Sequence, residues 1–182
     1  MASSPMSSTA TPPDQAPDRA PNPANELVGG PVEGARLHWR ALESLYDSAP
    51  INSLFASRLT ITDEGASRIE FDIDPSCFHA AGAAHGTIYF KMLDDAAFYA
   101  ANTLVTDRFL LTTSFNLHFS RPVRAGRAVA EGRWISGRRR VLVAEARLID
   151  DEGEEIGRGT GTFMRSRIAL SSLDGYSRAF AP

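Results

Sequence analysis

Residues 86–104, GTIYFKMLDDAAFYAANTL, limit what this chain can fold into more than any other stretch. Their Ala, Met and Leu content favours helix. Ile, Tyr, Phe, Met, Leu and Ala occupy nearly every side of that helix, so it belongs inside a fold and not on its surface. Two adjacent aspartates, Asp94 and Asp95, stand in its middle. A carboxylate there is costly unless it is paired, hydrogen-bonded or used.

The flanking sequence supplies the wrapping. Leu37, Leu42, Leu45 and Tyr46 recur at helical spacing, which predicts an amphipathic helix over 33–48, ending before Pro50. Leu59 and Ile61 alternate before Asp63-Glu64-Gly65, and Ile69, Phe71 and Ile73 alternate after it, a hairpin signal. Residues 75–84 form an irregular Pro/Gly/Ala connection. Beyond the long helix come four strand-like runs with turns at Gly126, Gly137 and Gly153; in the first, Phe115, Leu117 and Phe119 alternate with Asn116 and His118. Helix, two strands, long helix and four strands predict an α+β layer fold, a largely antiparallel sheet wrapped around one apolar helix.

That domain spans residues 31–168. Residues 1–30 are rich in Pro, Ser, Ala and Asp, lack a hydrophobic period and read as a disordered tail. Residues 169–182 read as a C-terminal tail with little pattern. A net charge of −3 gives no general attraction to nucleic acid or anionic membrane. No run of 18 apolar residues predicts a membrane span, and the N-terminus lacks the basic start and apolar run of a secretory signal. Cys77 is the single cysteine, which excludes an intrachain disulfide and a cysteine-based metal cluster and fits a reducing cytoplasm.

Three stretches, AHGTIYFKMLDDAAFYAAN, TTSFNLHFSRPVRAG and GRGTGTF, together with the element order resemble the hotdog-fold acyl-CoA thioesterases of the phenylacetate-pathway (PaaI-like) type over residues 33–167. The resemblance implies a hotdog fold and a homodimer, possibly a dimer of dimers, with shared sites. It implies that His85-Gly86 is the motif before the helix, that Asp94, nine residues after His85, is the catalytic carboxylate, and that Thr112 orients water. Two positions depart from the pattern. Thr87 replaces a second Gly, and His79 stands where an Asn is common. His79 either contacts the thioester carbonyl or a water in place of that Asn, or fills the loop.

Elementary chemistry supports parts of this assignment. The start of a helix offers free N–H groups and a positive dipole end, and Gly86 lets a carbonyl approach closely, as an oxyanion hole requires. Gly86 and Asp94 lie roughly 12 Å apart along one helix, too far for both to touch one carbonyl. Two such helices packed antiparallel bring Gly86 of one near Asp94 of the other. Asp95, turned about 100° from Asp94, reads as structural; the alternative for Asp94 itself is a buried carboxylate paired with an Arg or a backbone N–H. His85 reads as a loop-positioning residue and His118 as structural. Cys77 beside His79 lacks a third orienting group for nucleophilic chemistry. Arg138, Arg139 and Arg140 are either a solvated turn or an anchor for the phosphates of coenzyme A.

The reaction expected is hydrolysis of an acyl-CoA to a carboxylic acid and CoA, with no metal or separate cofactor. The alternative is a non-catalytic acyl-CoA-binding hotdog protein, a sensor or carrier. A hotdog hydratase would need an Asp/His pair at a spacing absent from this chain.

Overall fold

The computed structural model describes residues 31–180, so the expected disordered tail of residues 1–30 lies outside the described residues. Helix α1 spans Pro31–Ser48, strands β1 and β2 Ser57–Asp63 and Ala66–Ile73, and the long helix α2 Gly86–Asn102. Strands β3 to β6 follow as Arg108–Phe119, Gly126–Ser136, Val141–Ile149 and Glu155–Ala169, and a short helix α3 is Asp174–Ser177. The six strands form one sheet in the order β1-β2-β4-β5-β6-β3, each pair antiparallel. This is the predicted layer fold: one sheet around one buried helix. No helix among the described residues is long and apolar enough to cross a membrane.

Helix α2 is seated by small residues. Met92, Leu93, Ala96, Ala97, Ala100 and Ala101 are wholly buried. Gly132 on β4 lies directly under the helix, where a Cβ would collide with the Ala96 carbonyl oxygen and stand 2.7 Å from Ser67 Oγ. Ser67 on β2 donates to that same carbonyl at 2.6 Å. Asn102 closes the helix from inside the core. Its amide donates to the Val105 carbonyl at 3.0 Å, and its side-chain oxygen accepts from the Leu110 N–H at 3.4 Å.

The C-terminal segment is packed against the domain. Leu170 and Tyr176 are buried, and the Tyr176 hydroxyl bonds buried His38 of α1 at 2.7 Å. His38 Nε2 also bonds the Asn102 carbonyl at 3.0 Å, tying the segment around Tyr176 to α1 and to the end of α2.

Candidate active site

The irregular connection before α2 is held by its backbone. Phe78 and Ala84 form an isolated bridge, the His85 N–H donates to the Cys77 carbonyl at 2.8 Å, and the Ala84 N–H donates to the Val123 carbonyl at 2.8 Å. His85 is the N-cap of α2: its Nδ1 accepts from the Thr87 N–H at 3.1 Å and pairs with the Thr87 hydroxyl. Thr87, the departure from a second Gly, thereby joins the cap. Gly86 is the first helical residue, so its N–H has no acceptor within the helix. A Cβ at Gly86 would stand 3.3 Å from two atoms of the Phe119 ring.

His79 has a defined tautomer. Its Nδ1 accepts from the Ala81 N–H at 3.1 Å, so the proton of the neutral ring sits on Nε2. The exposed side of the imidazole is therefore a donor, as the N–H of an Asn amide is. The His79 and His85 rings lie edge to face, 6.5 Å apart.

Asp94 and Thr112 meet across the gap between α2 and β3. The Thr112 hydroxyl donates toward both carboxylate oxygens of Asp94, at 3.1 and 3.3 Å. Both residues line a cleft of about 270 Å³ with Tyr46, Phe98, Tyr99 and Phe109. Burial raises the Asp94 carboxyl from its ordinary 3.8 to about 6; the Thr112 bond opposes the rise, and the neighbouring Asp95 charge adds to it. A carboxylate with that proton affinity is mostly ionised at pH 7 yet able to accept a proton from a reacting water. The single hydrogen of Thr112 is engaged by Asp94, so toward a water its oxygen acts as an acceptor.

Asp95 has a separate environment. It forms an ion pair with Lys91, one helical turn earlier. Lys91 also donates to Asn52 at 2.6 Å. Sequence reasoning did not identify Lys91; its position four residues before Asp95 was the available signal.

The structure distinguishes the three arginines of the β4–β5 turn. The Arg138 guanidinium lies over the Trp134 ring, 4.7 Å from its centroid, and pairs with Glu64 at 3.4 Å. Arg139 and Arg140 are exposed. All three stand at the sheet end near the C-terminus of α2, because Glu64 adjoins Gly65, whose N–H donates to Thr103 at 2.7 Å. Gly86 is at the opposite end of the same helix. Within one chain, then, Asp94 and Thr112 come together, His79, His85 and Gly86 come together, and the arginines form a third group. Among the described residues no group of three or more His, Cys, Asp or Glu side chains is arranged to hold a metal ion.

The profile of the Thioesterase superfamily matches residues 81–156, which include His85, Gly86, Asp94 and Thr112. A candidate esterase of Saccharolobus solfataricus is 26% identical over 102 residues, covering 56% of this chain and 68% of that protein. The PaaI protein of the phenylacetic acid degradation operon of Escherichia coli superposes with a TM-score of 0.68 at 16% identity, covering 74% of this chain and 97% of that one. A thioesterase of Haemophilus influenzae superposes with a TM-score of 0.61 at 17% identity, covering 68% and 86%.

Proposed function

We propose that the chain is a hotdog-fold member of the Thioesterase superfamily, whose profile matches residues 81–156, and that it hydrolyses acyl-CoA thioesters to a carboxylic acid and CoA. Membership points to thioesterase or esterase chemistry in general. The finer reading rests on one observation: a carboxylate midway along the buried helix, in no ion pair among the described residues, held by a threonine hydroxyl and facing an apolar cleft.

Asp94 acts as general base. It removes a proton from a water that attacks the thioester carbonyl. The carbonyl oxygen becomes an oxyanion held by the N–H of Gly86 of the partner subunit, and Nε2–H of His79 is a second donor at that end. Collapse of the intermediate breaks the C–S bond. The proton on Asp94 passes to the departing thiolate, which leaves the acid and CoA–SH and restores the carboxylate. Arg139 and Arg140 supply positive charge for the phosphates of CoA.

The same geometry supports a homodimer. Among the described residues β3 pairs only with β6, which leaves its other edge open. Leu111 and Phe119 on β3 and Phe90 on α2 are 49%, 54% and 39% exposed, an apolar strip along that edge. Edge-to-edge pairing of two β3 strands covers the strip and lays the two α2 helices antiparallel.

The experiment is free-thiol release from a panel of acyl-CoAs by wild type, Asp94→Asn and Asp95→Asn, with light scattering on each. The expected result is a dimer whose kcat falls by ~10²–10⁴-fold in Asp94→Asn and far less in Asp95→Asn. An active monomer, near-normal turnover in Asp94→Asn, or binding without turnover across the panel would overturn the reading, the last in favour of a non-catalytic acyl-CoA-binding protein.

A further inference from the structure

We propose that Lys91 is a positioning residue that, by pinning Asp95, divides the two adjacent carboxylates into an ion-paired member and a proton-exchanging one. The inference deepens, and rests on, the reading of Asp94 as the base.

Lys91 is not a surface lysine. Its side chain is 12% exposed, in ion pair with Asp95 Oδ2. Its ammonium donates to Asn52 Oδ1 at 2.6 Å and lies over the rings of Tyr46 and Phe55, 5.4 and 5.3 Å from their centroids. Asn52 is itself fixed, its amide donating to the Tyr46 carbonyl at 2.6 Å. Four groups from α1, the following turn and α2 thus hold one ammonium in place. Burying a cation is costly, and holding it so firmly points to a charge beside it that has to stay.

That charge is Asp95, whose side chain is 25% exposed and lines the same cleft as Asp94. The other titratable groups on this side are Tyr46 and Asp47 of α1 and Tyr99 of α2, while β3 presents the Thr112 hydroxyl. Two neighbouring carboxylates that lose water together compete for one proton. Lys91 breaks the tie by direct contact with Asp95. Burial raises both carboxyls, and Lys91 opposes the rise at each. The ion pair with Lys91 favours the charged form of Asp95, and a negative charge there makes Asp94 the better proton acceptor.

Two substitutions therefore move Asp94 in opposite directions. Asp95→Asn deletes the negative neighbour and leaves the ammonium, so Asp94 binds its proton less tightly. Lys91→Met leaves two desolvated carboxylates with no cation, and they share a proton at higher pH.

The test is a ¹³C carboxyl NMR titration of the full chain in wild type, Asp95→Asn, Lys91→Met and Lys91→Arg, with Asp94→Asn to assign the resonance. The Asp94 midpoint is expected about one pH unit lower in Asp95→Asn and about one higher in Lys91→Met, and near wild type in Lys91→Arg. The acid limb of kcat should follow. Lower melting temperatures with an unmoved Asp94 midpoint, or midpoints that move the same way in both variants, overturn the proposal. Should Lys91→Met not fold, Asp95→Asn decides: an unmoved or raised midpoint overturns it. Midpoints that move as stated in a chain that turns over no thioester leave the division of the two carboxylates by Lys91 standing and remove its catalytic meaning together with the reading of Asp94 as base.

Discussion

Thr112 donates its one hydroxyl hydrogen to Asp94 from an edge strand, so the proton affinity of a helix residue is set partly by β3. The bond favours the ionised carboxylate and opposes the effect of burial. Thr112→Val keeps the shape and removes the bond. The Asp94 carboxyl then rises further, and the acid limb of the pH–kcat profile moves to higher pH. A limb that stays in place or moves down would show that the bond does not act on the base.

Asp94 also links stability to pH. Its folded-state value of about 6 lies above the ordinary 3.8, so the folded chain holds this proton more tightly than the unfolded one. The cost is absent below pH 4, grows as the carboxylate ionises and is complete above about pH 6. Across that interval it is on the order of 2–3 kcal/mol. Asp94→Asn should therefore raise the unfolding free energy at pH 7.5 by roughly that amount while abolishing most turnover, and the gain should vanish near pH 3.5. Urea titrations at the two pH values measure it.

Gly132 is expected to be intolerant of substitution. A methyl group there meets the Ala96 carbonyl, which is helix backbone and cannot swing aside. Gly132→Ala should destabilise the fold by more than the ~1–3 kcal/mol usual for overpacking. A melting temperature within a degree or two of wild type would contradict the close seating of α2.

Arg139→Ala with Arg140→Ala should raise KM for an acyl-CoA by roughly three- to tenfold with little change in kcat, because phosphate anchoring acts equally on ground and transition states. The effect should shrink as salt rises. Arg138→Ala should differ from this pair, since its guanidinium is already stacked on Trp134 and paired with Glu64; its loss loosens the hairpin and appears in the melting temperature. Lowered kcat at constant KM in the double variant would place the phosphates elsewhere.

The order of elements was legible because two periods dominate it: alternation in the strands and all-round hydrophobicity in α2. The start of α2 at Gly86 coincides with the expected one, and its end differs by two residues because Asn102 turns inward and accepts from the strand that follows. The packing of the last residues was not legible. Leu170 and Tyr176 lie in short turns with no repeating period, and the residue that bonds and packs against Tyr176 is His38, 138 residues away in sequence. The surroundings of Lys91 were hidden for the same reason: Asn52, Tyr46 and Phe55 come from α1 and the turn after it, and nothing local in the sequence points from one to the other. The neighbourhood of Thr112 and Asp94 came from resemblance, since no pattern within β3 singles out one threonine. The three arginines looked alike in a row, and only the hairpin's geometry separates Arg138 from the other two.

Helix α2 is walled in along most of its length, and this has a consequence for how the site comes apart. Backbone amides around Met92 to Ala101 can exchange with solvent deuterium only when the whole domain opens, whereas the N–H of Gly86 lies in the first turn, outside the ladder, and exchanges through local fraying. The carboxylate therefore rides on the last part of the molecule to yield, and the proposed oxyanion donor on one of the first. Mild denaturant or heat would disable the two halves of the chemistry at different thresholds, beginning at the glycine.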